Sequence, residues 1–352
     1  MKTIILTGGG TAGHIMPNIA LIPELKKHFT KIYYLGAKES MEEKIISKYS
    51  DITFVPIKTT KLIRKFTLKN LAIPFKLLSA VLSTKKIIKK IKPDVIFCKG
   101  GFVSVPVAMA GKMCNVPIIS HESDLSMGLA NKIILKFAKA MCTSFETTLS
   151  DCKKCVYTGS PIRQEIFNGN PQNAINEFIG YNSQKPTILI FGGSQGSKKI
   201  NLLTYEVVHK LVENYNVVHI AGKNNLTNIK LNGYLQKEFV DNLEDFLALC
   251  TIAVTRGGAN SLFELLALNK PMLIIPLCKA QSRGDQIENA EYFKRKKFAE
   301  VLREENISAK TFLTKIEQTL KNRQQYIKNM QAEKLKNPTL QIVDIILKNT
   351  KN

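Results

Sequence analysis

No uninterrupted apolar run in the 352 residues approaches the roughly 20 that a membrane-spanning helix needs. The opening Thr3-Ile4-Ile5-Leu6-Thr7 is apolar but runs straight into Gly8-Gly9-Gly10. It reads as a first strand and not as a secretory signal. Cysteine is sparse, and Cys98, Cys114, Cys142, Cys152, Cys155, Cys250 and Cys278 are scattered, several within apolar segments. That suits buried free thiols in a reducing cytosol better than a disulfide framework. Cys152-Lys153-Lys154-Cys155 is a CxxC without a second pair or a neighbouring His cluster, which argues against a metal or redox centre. No Asp-x-Asp occurs, so nothing in the sequence suggests a metal holding a diphosphate. Acidic residues are absent altogether from Ile52 to Pro93.

What is present is positive charge. The 51 Lys and Arg against 28 Asp and Glu leave a net +23. Such a balance predicts an anionic partner: nucleic acid, acidic lipid or a phosphorylated substrate. Residues 58–92 carry eleven of the basic side chains, interleaved with Leu62, Ile63, Phe66, Leu68, Leu71, Ile73, Phe75, Leu78 and Leu82. After Pro74, positions 77, 81, 84, 88 and 91 form one helical stripe for the core. Phe75, Leu78 and Leu82 fall on another side, beside lysines, and a second apolar face edged by cations fits an interfacial segment on anionic lipid.

Length and a hydrophobic content of 44% predict about two globular domains. Both halves open alike. In the first, Thr3–Thr7 meets Gly8-Gly9-Gly10-Thr11-Ala12-Gly13-His14, and Pro17 is expected to open the helix that follows. The glycines lack dinucleotide spacing and the Gly-Lys-Ser/Thr ending of a triphosphate loop, and Lys31–Gly36 ends without an acid. His14, at the end of this loop, reads as a cap or as a chemical group. Val95–Cys98 runs into a second turn, Lys99-Gly100-Gly101-Phe102. Pro117–Ser120 delivers His121, Glu122 and Asp124 to a strand end, where all three are expected to open on one crevice for acid–base work, or to cap the next helix. Thr143–Glu146 and Cys155–Thr158 read as the last strands of this half. Residues 168–185 are polar and broken, a domain connector.

The second half restarts with Thr187–Phe191 and Gly192-Gly193-Ser194-Gln195-Gly196-Ser197. Val217–Gly222 is its next strand and Phe239-Val240-Asp241-Asn242 ends another. The stretch Arg256–Ala290 organises the rest: Thr251–Thr255 meets Gly257-Gly258, then a helical pattern with Leu262, Leu265 and Leu266. A strand, glycine turn and helix start form a natural anion site, with Asn260 and Ser261 as expected N-caps. Glu264, about one turn in, can accept two hydrogen bonds from a ribose diol. Pro271–Leu277 reads as a buried strand leading to the polar loop 281–286. Strand C-terminal ends are where open α/β sheets place ligands.

Together GGGTAGHIMP (8–17), GGFVSVP (100–106), HESDLSMGLANK (121–132), GSPIR (159–163), GGSQGS (192–197) and the 256–290 stretch resemble the MurG family over nearly the whole chain. These are peripheral membrane enzymes that transfer N-acetylglucosamine from UDP-GlcNAc to lipid I, making lipid II for peptidoglycan. The resemblance implies an α/β GT-B fold, two Rossmann-like doubly wound domains facing across a deep cleft. Residues 1–163 would bind acceptor and membrane; residues 164–352 would bind UDP-GlcNAc, with the last helix able to pack back on the first domain.

It further implies His14 as general base and Glu122 as a second candidate or an acceptor-binding group. Arg163 and Ser194 would contact the diphosphate and the Val240 backbone would read uracil. Ala259, Asn260, Ser261, Leu262, Phe263 and Glu264 would hold phosphate and ribose, and Gln286 the sugar. Thr11, Ala12 and Gly13 would approach the donor from the other domain. Leu62, Ile63, Lys65, Phe66, Lys69, Phe75, Leu78 and Leu82 would seat the protein on the anionic cytoplasmic leaflet of the cell membrane. No cofactor is implied, and cell-wall synthesis and division proteins are implied partners. The chain departs from the family pattern at Ala12, where Gly is usual, and at Asp124, where Asn is usual, which leaves the role of Asp124 open. A UDP-GlcNAc 2-epimerase and a diacylglycerol glycosyltransferase are alternatives within the fold. A nucleic-acid-binding protein is disfavoured because the basic run alternates with aliphatics and not with stacking aromatics.

Overall fold

The computed structural model describes residues 2–59, 73–149, 152–193, 196–333 and 337–351. The chain divides into two compact units, Met1–Arg163 with Lys336–Asn352, and Gln164–Leu335.

In the first unit, strands alternate with helices in the order β1 (Thr3–Thr7), α1 (Ala12–Leu25), β2 (Lys31–Ala37), α2 (Met41–Ile46), β3 (Ile52–Ile57), α3 (Ile73–Ile91), β4 (Val95–Cys98), α4 (Ser104–Met113), β5 (Ile118–Glu122), α5 (Leu129–Phe137), β6 (Ala140–Thr143) and β7 (Cys155–Tyr157). The sheet is ordered β3-β2-β1-β4-β5-β6-β7, all parallel. Both faces are covered, so burial does not alternate along its central strands; every residue of β1, β4 and β5 is buried, Ser120, His121 and Glu122 included.

The second unit holds α6 (Pro171–Ile175), β8 (Thr187–Phe191), α7 (Lys198–Asn214), β9 (Asn216–Ile220), β10 (Tyr234–Lys237), α8 (Leu243–Leu249), β11 (Ile252–Thr255), α9 (Ala259–Ala267), β12 (Met272–Ile274), α10 (Asp285–Arg295), β13 (Ala299–Val301), α11 (Ala309–Lys321) and α12 (Arg323–Ala332). Its parallel sheet runs β10-β9-β8-β11-β12-β13. The last helix, α13 (Pro338–Lys348), belongs to the first unit, where Ile342, Val343 and Ile346 join the core of Ile15, Ile19 and Ile22.

Several elements differ from their expected form. Helix α1 begins at Ala12, with Pro17 and Pro23 inside it. Burial of Ile15, Ile19 and Ile22 outweighs the bond that Pro17 cannot donate. β10 stops at Lys237, so residues 239–242 form the loop beyond it. β12 is only Met272–Ile274. The expected connector contains α6, capped by Asn170, whose backbone N–H donates to Asp245 at 2.7 Å. Cys152 and Cys155 form a disulfide, unlike the expected free thiols, because the turn before β7 brings their Cα atoms to 5.3 Å. The other five cysteines are free.

The stripe of α3 turns inward as the spacing predicts: Ala80, Val81, Thr84 and Ile88 are buried and Leu77 and Ile91 pack against them. Phe75, Leu78 and Leu82 stand out at 77%, 56% and 46% exposure. Leu62, Ile63, Lys65, Phe66 and Lys69 lie outside the described residues. Among the described residues, no helix is long and apolar enough to cross a membrane.

Candidate functional site

In both sheets the strand order reverses beside the first strand, between β1 and β4 and between β8 and β11. Connections at such a point diverge to opposite faces and open a crevice beyond the strand ends. The glycine turns of the sequence all fall at these two places.

At the first, residues 8–10 follow β1 and residues 99–102 follow β4. The turns touch so closely that a Cβ on Gly101 would meet the Gly9 carbonyl oxygen at 2.6 Å and the His14 ring at 3.2 Å. Behind them sits Glu42, 1% exposed, accepting from Ala37 N–H at 3.1 Å and Gly10 N–H at 3.4 Å. Its carboxylate lies against Gly9, where a side chain would collide with it. Tyr34 donates to the Gly8 carbonyl at 2.6 Å. Thr11 is the N-cap of α1 without capping it through its side chain. Ala12, Gly13 and His14 form the first helical turn, with His14 Nδ1 3.0 Å from Thr11 Oγ1.

His121 and Glu122 do not open on one crevice, because successive strand residues face opposite ways. His121 is fully buried, its Nε2 3.1 Å from the Gly159 carbonyl oxygen. Burial, together with the Lys99 charge, holds its pKa well below the ordinary imidazole range. Glu122, 4% exposed, accepts from Asp124 N–H at 3.1 Å, Gly128 N–H at 2.9 Å and Asn131 Nδ2 at 3.0 Å. It thereby holds the loop that leads into α5, whose N-cap is Gly128 with no side-chain cap, so Glu122 does not cap the helix as that alternative expected. Burial and the Asp124 charge raise its pKa, against those three hydrogen bonds.

Lys99 is 1% exposed and donates to Ser123 Oγ. Burial depresses its pKa to about 8, while Glu122 and Asp124 pull it upward. Arg163 closes the first stretch of this unit, half-buried.

At the second reversal, residues 192–197 follow β8 and residues 256–258 follow β11; Ser194 lies outside the described residues. Helix α9 starts at Ala259 behind Gly258, with no side-chain cap. Asn260 and Ser261 therefore sit in the first turn and not at the N-cap, and the positive end of the helix dipole faces the strand ends. Leu262 and Phe263 are buried, Phe263 edge-on to Phe293 at 5.5 Å, so only their backbones can meet a ligand. Glu264 is half-buried.

Gly257 lies so close to α10 that a Cβ there would run into the Gln286 carbonyl oxygen, and Asn289 donates to the Gly257 carbonyl at 3.0 Å. The starts of α9 and α10 are thus brought together. The Gln286 side chain accepts from Leu277 N–H at 3.1 Å, and its Cβ lies against Gly257. Val240 lies in the loop after β10, further along the same edge, next to an exposed Phe239.

Sequence reasoning gave no role to Arg256, Glu304, Glu42 or Lys99. Two carry a signal that was there to read: Lys99-Gly100-Gly101 and Arg256-Gly257-Gly258 are the same cation–glycine–glycine step at the same strand end of each unit.

Two Rossmann-like doubly wound units with glycine turns at their switch points define the module pair of GT-B glycosyltransferases. Residues 4–143 match the glycosyltransferase family 28 N-terminal domain, and residues 187–344 the glycosyltransferase family 28 C-terminal domain. A Clostridium tetani (strain Massachusetts / E88) protein named UDP-N-acetylglucosamine--N-acetylmuramyl-(pentapeptide) pyrophosphoryl-undecaprenol N-acetylglucosamine transferase is 46% identical over 99% of this chain and 98% of its own. A Clostridium botulinum (strain 657 / Type Ba4) protein of the same name is 46% identical over the full length of both chains. The crystal structure of Acinetobacter baumannii MurG superposes with a TM-score of 0.76 at 23% identity, over 99% of this chain and 100% of that one, a likeness of fold. The chain belongs to glycosyltransferase family 28.

Proposed function

We propose that this protein transfers N-acetylglucosamine from UDP-GlcNAc to the C4 hydroxyl of MurNAc in lipid I, forming lipid II. The observation that carries the reading is full-length identity of 46% to relatives named for that transfer, with the glycines at 8–10, 100–101, 192–193 and 257–258 following the strands that flank the two switch points. The donor diphosphate lies at the start of α9, where helix dipole and backbone N–H groups favour anions. Glu264 takes the ribose diol, Gln286 the sugar and the Val240 backbone the uracil, while Arg163 and Ser194 contact the diphosphate.

The acceptor oxygen attacks the anomeric carbon in line as the bond to UDP breaks, inverting that centre. His14 takes the acceptor proton, the role an imidazole most often fills in general-base catalysis. The charge developing on UDP is met by preorganised dipoles and cations. Glu122 supports the site by holding residues 123–128, and Asp124 lies on that loop. Thr11, Ala12 and Gly13 approach the donor.

The exposed face of α3, Phe75, Leu78 and Leu82 with Lys76, Lys85 and Lys86 around it, seats the protein peripherally on the anionic cytoplasmic leaflet. Each cation near such a surface contributes on the order of 1 kcal/mol. Incubation with labelled UDP-GlcNAc and a short-chain lipid I analogue tests the reading: a glycosylated acceptor is expected. UDP-N-acetylmannosamine or a glycosylated diacylglycerol would instead identify an epimerase or a different transferase.

A further inference from the structure

Arg256 is 8% exposed, and its guanidinium reaches across the middle of the second sheet. Nη1 donates to Glu304 at 2.6 Å and to the Ile275 carbonyl at 3.0 Å, and Nη2 donates to Ser197 Oγ at 2.6 Å. Ser197 is also the N-cap of α7, accepting from Ile200 N–H at 3.4 Å. Glu304 is in turn 5% exposed, and Lys199 donates to its carbonyl at 2.9 Å. One side chain therefore ties together the ends of β8, β11, β12 and β13, four neighbouring strands. It does so immediately before Gly257 and Gly258.

A buried ion pair is weak evidence of a stabilising role, since apolar residues of equal volume often serve stability as well or better. What an arginine adds is a planar fork with fixed donor directions, which three acceptors on three different loops can use as a jig. The loops it joins carry the N-termini of α7 and α9.

We propose that Arg256, locked by Glu304, is a positioning residue for the donor diphosphate, setting the glycine turn after β8 in register with the turn after β11. The proposal rests on the reading that the diphosphate binds at the start of α9. Lysine keeps the charge but cannot reach Glu304, Ile275 and Ser197 together, so R256K is conservative in charge and not in geometry. Glu304→Gln keeps the shape of the carboxylate and removes the charge that anchors the guanidinium.

The test is calorimetric titration of the full chain, wild type, R256K and E304Q, with UDP and with uridine. Wild type is expected to prefer UDP. Each variant is expected to lose about tenfold or more of that preference, since charge-assisted bonds to phosphate depend on donor placement, while uridine affinity stays close to wild type. A partly unfolded variant scales both affinities by the same folded fraction, so the ratio reports register and not stability. If R256K does not fold, E304Q alone decides. Unchanged UDP preference in the folded variants, with preference intact in wild type, overturns the positioning role alone. No preference for UDP in wild type removes the diphosphate reading, and the proposal with it.

Discussion

The two switch points are built on one plan and braced with opposite charge. After the fourth strand in each unit comes a buried cation and two glycines, Lys99-Gly100-Gly101 and Arg256-Gly257-Gly258. In the first unit the facing glycine loop rests on a carboxylate, Glu42, which takes up the Gly10 N–H, and Lys99 turns to the Ser123–Asp124 side. In the second the facing loop is held by the cation itself, through Ser197. Each loop leads into a helix N-terminus; behind the first stands the Glu42 carboxylate, and behind the second the Arg256 guanidinium, paired with Glu304. That difference supports the proposed placement of the nucleotide in the second unit and of proton transfer and the acceptor in the first, a division that the glycine pattern alone does not make.

The sharpest way to break that division is His14→Ala. Turnover should fall by about 10²–10⁴-fold, the usual contribution of a general base, while calorimetric affinity for UDP-GlcNAc stays unchanged. Near-full turnover would remove His14 as base, and lost donor affinity would erase the separation of roles. Glu264→Ala is the reciprocal experiment in the second unit. Two charge-assisted bonds to the ribose are lost, so UDP affinity should drop roughly 10–100-fold, and 2′-deoxy-UDP should no longer be discriminated from UDP.

Stability against pH compares the same two units. Burial holds His121 in the first neutral and depresses His219 in the second to about 4. Below pH about 6.5 the unfolded chain binds a proton at each site that the folded chain refuses. Stability must therefore fall with acid, by up to about 1.4 kcal/mol per pH unit per histidine. Chemical denaturation at pH 5 and pH 7 should show this, and His121→Asn or His219→Asn should each remove one share of the slope. The smallest effect lies on the alkaline side. Lys99 folds with its pKa lowered to about 8, so between there and the ordinary lysine value near 10.4 the unfolded state holds the extra proton and stability rises with pH. Lys99→Met should flatten this single-proton rise.

Much of the site was legible because it depends on local chemistry. Glycine turns after apolar runs, the helix of Leu262, Leu265 and Leu266, and the two-faced α3 follow from periodicity within a dozen residues. What escaped depends on distant partners. Pro17 was expected to start a helix, but the core contacts of Ile15 and Ile19 begin α1 at Ala12. Asn260 and Ser261 were expected to cap α9, yet the close approach of α10 at Gly257 fixes the helix start at Gly258. Glu304 lies 48 positions from Arg256, and nothing near either residue in the chain announces the pair. The shared strand-end step of Lys99 and Arg256 was visible, but opposite bracing of the two loops appears only with tertiary contacts.

Helix α13 sets the order in which the polypeptide can be finished. Ile342, Val343 and Ile346 complete the apolar layer around Ile15, Ile19 and Ile22, although more than 300 residues separate them in the chain. During synthesis the amino-terminal unit must wait, with that layer uncovered, until the whole second unit, Gln164–Leu335, has emerged from the ribosome. The half made first is therefore the half completed last.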